Sequence, residues 1–148
     1  MDEKIKIVSV TIIFLCILIL FGHMVFNNTE TVQIGSTTIS IPTGYTVDKN
    51  EGSSLTLKKN NINIAVEESD LSTDTLIENY KNKHQNQLIN VEDVQIKNTS
   101  VKSLSLKDND GNEIKKLLYV EKDGKTYTVI FKKYDENAIQ TIIGSLNS

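Results

Sequence analysis

The sequence predicts an α+β protein: one apolar N-terminal helix, then a single domain in which short antiparallel strands carry two amphipathic helices. Three observations predict this. Residues 7–26 contain no charged side chain, and only Ser9, Thr11, Gly22 and His23 interrupt Ile, Leu, Val, Phe, Met and Cys. From Thr31 onward, apolar residues recur at period two in short runs separated by Gly, Asn and Asp, the pattern of half-buried strands. Two segments, opening at Ser72 and Asp135, switch to helical spacing.

The N-terminal run reads as a transmembrane helix. At about 1.5 Å rise per residue it matches the roughly 30 Å of bilayer hydrocarbon, where a helix satisfies its own backbone. It is longer than a signal-peptide core, and Met24-Val25-Phe26-Asn27 offers no small pair for cleavage, which predicts an uncleaved signal-anchor. Cys16, the lone cysteine, is expected as a small lipid-facing residue with no disulfide partner. Lys4 and Lys6 precede the run, and no basic residue follows until Lys49. The positive-inside tendency then gives a single-pass protein of the cell membrane with a cytoplasmic N-terminus and an extracytoplasmic C-terminal domain. The boundaries are 1–6 for the cytoplasmic end, 7–26 for the span, 27–30 for a connector and 31–148 for the domain. Asn27 and Asn98 head glycosylation sequons on that outer side. The expected partners are the lipid bilayer, through residues 7–26, and a membrane or cell-envelope protein.

The 148 residues carry 19 Asp and Glu against 16 basic residues, all of them lysine, for a net charge of −3 with both signs interspersed. This is an ordinary solvated surface without the basic face that nucleic acid requires. Without arginine, no bidentate guanidinium clamp for phosphate or carboxylate exists.

Within the domain, Val32, Ile34, Ile39 and Ile41 flank a Gly35-Ser36 turn, and Pro42-Thr43-Gly44 closes that hairpin. Tyr45 and Val47 mark a brief strand. Leu55 and Leu57, then Ile62, Ile64 and Val66, make a pair of strands reversed at Asn60-Asn61. Ser72 is a good N-cap, with Leu71 and Leu76 placed for a hydrophobic staple and Asp74 near the positive end of the helix dipole. Ile77, Tyr80, His84 and Leu88 continue one apolar stripe, so the helix is expected to end near Asn90. Val94 to Ile96 and Val101 to Lys107 are strands. A three-residue Asn109-Asp110-Gly111 loop is expected next, setting Leu106 opposite Ile114 and gathering Leu104, Leu106, Ile114 and Leu118 on one face. Asp123-Gly124 predicts a two-residue hairpin that pairs Val120 with Tyr127 and Leu118 with Val129, in two strands central to the sheet. Asp135 caps a last helix with Ala138, Ile139, Ile142, Ile143 and Leu146 on its apolar stripe.

Two stretches carry a family resemblance. One is Ile39-Ser40-Ile41-Pro42-Thr43-Gly44-Tyr45. The other is the Tyr119 to Phe131 hairpin with its Asp123-Gly124-Lys125 turn, followed by Ile142-Ile143-Gly144-Ser145-Leu146. Together they resemble the PsbP-like superfamily over most of residues 31–147. The resemblance implies a central antiparallel sheet flanked by helices, an α/β/α sandwich, and a non-catalytic accessory or assembly role. It carries over no binding residue.

His84 is the only histidine outside the apolar run, and its place on a helical stripe points to a structural role; His23 reads as interfacial. Glu67, Glu68 and Asp70 at a strand end read as solvated charge rather than a paired-carboxylate site. Asp108, Asp110, Asn112 and Glu113 offer oxygens to a cation such as Ca²⁺, but the glycine falls too early for an EF-hand and the turn accounts for Asn-Asp-Gly. Asp108, Asp110 and Glu113 are therefore weak metal candidates, and no cofactor or catalytic residue is expected. These readings predict a membrane-anchored binding or accessory domain without catalysis. A cell-surface hydrolase and a pilin-like surface subunit are the alternatives.

Overall fold

A computed structural model describes residues 13, 15–17 and 29–148. Thr31–Ser148 forms one compact unit. Its nine strands are β1 (Thr31–Ile34), β2 (Thr37–Ser40), β3 (Thr46–Asn50), β4 (Ser54–Lys59), β5 (Ile62–Ser69), β6 (Leu88–Ile96), β7 (Thr99–Lys107), β8 (Glu113–Lys122) and β9 (Lys125–Phe131). Helix α1 (Thr73–Lys83) joins β5 to β6, and α2 (Glu136–Leu146) closes the chain. Strands β1 and β2 form a separate hairpin. The other seven form one antiparallel sheet in the order β3-β4-β5-β9-β8-β7-β6, which puts β8 and β9 at its centre as their hydrophobic runs require.

The expected α/β/α sandwich is corrected to a mostly β architecture. One face of the large sheet is covered jointly by the β1–β2 hairpin and α2, the other only in part by α1, so neither face carries a helical layer. The reason is local. Helix α1 stops at Lys83 rather than near Asn90, and Leu88 opens a nine-residue strand in which it is exposed. The expected transmembrane helix over 7–26, and with it the single-pass, membrane-localised reading, is also corrected. Among the described residues no helix is long and apolar enough to cross a membrane. A span needs about 20 consecutive apolar residues, and only Ile13 and Leu15–Ile17 of that stretch are described as helical. The rest of 7–26, including His23, lies outside the described residues.

The cores on the two faces are unequal. Ile64, Val66, Leu118, Val120, Val129 and Phe131 project from the sheet into the larger, where they meet Ile34 and Ile39 of the hairpin and Ile139, Ile142, Ile143 and Leu146 of α2. Burying each such aliphatic side chain contributes roughly 1.5–3 kcal/mol, so this face dominates stability. Helix α2 begins where expected, the Asp135 carboxylate accepting from Ala138 N–H at 3.2 Å. On the other face only Ile77, Leu104, Leu117 and Tyr119 are buried together.

Register explains the partition. The Asp123-Gly124 turn has both residues at positive φ, a two-residue hairpin that pairs Val120 with Tyr127 and Leu118 with Val129 as expected. The 109–111 loop is also present, with Gly111 at φ 84° and Asp108 N–H bonded to Asn112 O at 2.9 Å. However, the register slips by one between Leu106 and Lys107, so Leu106 faces Lys115 and Leu104 faces Leu117. Ile114 is left as the extra, exposed residue of a bulge. The expected grouping is thus split: Leu104 lies under α1, and Leu118 lies in the larger core.

Candidate functional site

The half-covered face holds a cleft. Ser72 starts α1 as expected, its hydroxyl accepting from Thr75 N–H at 3.3 Å, and Leu71 before it is 46 % exposed. Among the apolar residues of α1, Ile77 alone is fully buried. The helix ends as His84 N–H turns back to Lys81 O at 3.1 Å, a tightened last turn. There the His84 ring stacks on Tyr80 with centroids 4.1 Å apart and planes 20° apart. Its Nδ1 lies 2.9 Å from Tyr80 O; a carbonyl only accepts, so Nδ1 donates in this contact.

Leu117 and Tyr119 of β8, Thr128 and Ile130 of β9 and Glu67 of β5 alternate toward this side of the sheet. With Leu76, Tyr80, Lys83, His84 and Lys115 they enclose about 460 Å³. The walls are apolar and aromatic, and the polar groups lie among them, as in small-molecule sites generally. Tyr119 is 3 % exposed, and its phenol is pushed up to about 12, first by burial and then by the neighbouring Tyr80 and Glu67. Burial likewise raises Tyr80, whose hydroxyl is buried with no hydrogen-bond partner among the described residues. The Lys115 ammonium sits 5.8 Å from the Tyr80 ring centroid. A second depression of about 260 Å³, over Thr56, Ala65 and Ile130, shares Lys115 and Ile130 with the first.

His84 and Glu67, distant in sequence, are brought to the same cleft. Glu67 and Glu68 are not paired, because successive strand residues point to opposite faces. Glu68 instead accepts from Ser36 N–H at 2.8 Å, Ser36 Oγ at 3.0 Å and Tyr127 Oη at 2.7 Å, contacts that hold its carboxyl below the usual range. It clamps the β1–β2 hairpin to the sheet, and a side chain at Gly35, where φ is 52°, would collide with it. Asp70 pairs with Lys125 at another rim.

Two of the three weak metal candidates, Asp108 and Glu113, have partners within the chain. Asp108 Oδ1 accepts from Asp110 N–H at 3.0 Å and Asn112 N–H at 2.8 Å; the Asn112 bond is the main cause of its depressed pKa. Glu113 pairs with Lys116 at 3.5 Å. Among the described residues no group of three or more His, Cys, Asp or Glu converges on a metal position. Asn98 is exposed in the two-residue turn between β6 and β7, and Asn27 lies outside the described residues. Cys16 is exposed.

Sequence reasoning missed the Glu68–Ser36–Tyr127 clamp and the Tyr80–Tyr119 pair. No spacing signals the first, whose members are 32 and 59 positions apart. The period-two placement of Tyr119 beside Leu117 carried the second once the face of α1 was known. No protein-family model matches the chain, and no curated protein matches it.

Proposed function

We propose that the protein is a non-catalytic binding domain whose ligand site is the cleft between α1 and the sheet. The observation that carries this reading is the unequal covering of the sheet: one face is sealed by a large core, the other leaves an aromatic and polar concavity beneath a lightly packed helix. The ligand that fits is amphipathic, with an apolar body for Leu76, Leu117 and Ile130 and a hydrogen-bonding group for the tyrosines and lysines. The PsbP-like resemblance points toward the same accessory role.

Hydrolysis is the weaker reading although His84 and Glu67 share the cleft. The one hydrogen bond of the His84 side chain among the described residues goes to a main-chain carbonyl, with no nucleophile on its ring. The test is a nuclear magnetic resonance screen of the full chain against amphipathic acids, amines, saccharides and short peptides. Binding predicts shifts concentrated at Tyr80, His84 and Tyr119. Silence at all three across every class would refute the site. Turnover of chromogenic esters or glycosides that disappears in His84→Ala would refute the non-catalytic assignment.

A further inference from the structure

The large sheet has two edges, and they are built differently. Strand β3 is short, carries a bulge between Val47 and Lys49, and ties Asn50 to Gln33 O of the hairpin. Bulges and edge lysines of this kind blunt pairing with other chains. Strand β6 has none of these protections. All nine of its residues pair with β7 without a register shift, and it contains no proline, glycine or lysine.

Its outer side can be read residue by residue. Lys97 and Asn98 both have positive φ, giving a two-residue hairpin in which Ile96 and Thr99 exchange both hydrogen bonds. Alternation then turns the peptide groups of Leu88, Asn90, Glu92, Val94 and Ile96 toward β7. Those of Ile89, Val91, Asp93 and Gln95 point outward, and among the described residues no turn or cap bond uses them. Glu92 and Asp93, both exposed, stand at the middle of the strand on opposite faces; Asp93 is bridged by Lys102 of β7 at 3.1 Å, whereas Glu92 has no ion pair among the described residues. A second copy running antiparallel along this edge in the register centred on Glu92 would bring that acid against its own equivalent, which disfavours self-pairing. The same charge favours an incoming strand of opposite sign.

We propose that the free edge of β6 is an interaction surface that accepts an extended, lysine- or arginine-bearing segment of a partner protein as an added strand. Main-chain bonds at Ile89, Val91, Asp93 and Gln95 supply affinity, and Glu92 supplies the main selectivity, since Asp93 shares its charge with Lys102. The surface is independent of the α1 cleft, so its failure leaves the tyrosine shifts of the ligand screen unaffected.

The test titrates the full chain with the synthetic peptide Thr-Val-Lys-Val-Lys-Val-Thr, and separately with its glutamate counterpart, and follows backbone amides. The expected result is slowed exchange and shifts at Ile89, Val91, Asp93 and Gln95 with the lysine peptide alone, weakened by salt. Replacing Glu92→Gln together with Asp93→Asn is expected to lower affinity about tenfold. Gln95→Pro removes one outward N–H, leaves every bond to β7 and every charge in place, and is expected to abolish binding. Amide dispersion of each variant reports that the fold is retained. Equal binding of both peptides, a response on β3 instead, peptide-free self-association through β6, or unchanged affinity in Gln95→Pro would each overturn the proposal.

Discussion

The two faces of the seven-stranded sheet are made from the same strands by alternation, yet they serve different ends. On the sealed face a hairpin and α2 interlock with the sheet, and polar links fasten the pieces: Glu68 to Ser36 and Tyr127, and Tyr45 Oη to Asp135 at 2.9 Å. On the open face α1 rests on a small apolar contact and shelters an unpaired tyrosine hydroxyl. The difference teaches that stability and recognition are divided between faces, so substitutions on one can be separated from those on the other.

The largest effect is expected from Ile142→Ala. Its side chain is fully buried between α2 and the sheet, so the loss is about 4 kcal/mol, measured by urea unfolding. Ile77→Ala on α1 is expected to cost only about 2 kcal/mol, because the cleft lets its surroundings relax. Equal losses would erase the distinction between the faces.

Glu68→Ala comes next, at about 1–3 kcal/mol, since Tyr127 and Ser36 lose their acceptor. The clamp also sets a pH dependence. Glu68 is depressed chiefly by the Ser36 N–H bond, and Asp135 by the Tyr45 hydroxyl, so both release protons more readily folded than unfolded. Their stabilisation is full above the unfolded values, near about 4, and is lost as pH falls through the folded values. The thermal midpoint is therefore expected to hold steady from neutrality to about pH 5 and to drop below about pH 4; Glu68→Gln with Asp135→Asn flattens that drop. An unchanged acid limb in the double variant would remove the clamp from the account.

The smallest expected change has the opposite sign. Tyr80→Phe deletes a buried hydroxyl with no partner, so stability holds or rises by up to about 1 kcal/mol. Affinity for a cleft ligand is expected to fall in the same variant. A loss of stability would mean that the hydroxyl is satisfied in the folded protein.

How legible this was in the sequence differs between elements. Period-two runs and Gly- or Asn-centred turns were enough to place β1, β2, β4, β5, β8 and β9, and the cap and stripe at Asp135 placed α2 with its buried residues. The C-terminal end of α1 was not legible, because His84 and Leu88 fit a helical stripe equally well. Only the folded chain shows Leu88 joining β7 through Lys107. The bulge at Ile114 is hidden for a related reason: the preceding loop matches its sequence signal, and a single extra residue then reverses the face of everything between it and Leu104. The cleft was half legible. Tyr80 and His84 were visible as neighbours on one stripe, but Glu67 and Tyr119 reach them only through the strand order. The apolar run over 7–26 shows the limit of composition, since hydropathy alone predicted a span that no described helix supplies.

Native-state hydrogen exchange tests the division of labour most directly. The amides of α1 from Ile77 to Tyr80 are expected to exchange by local opening, at a free energy well below that of global unfolding, while those of α2 from Ile139 to Ile143 exchange only with the whole domain. Identical opening energies for the two helices would contradict the account.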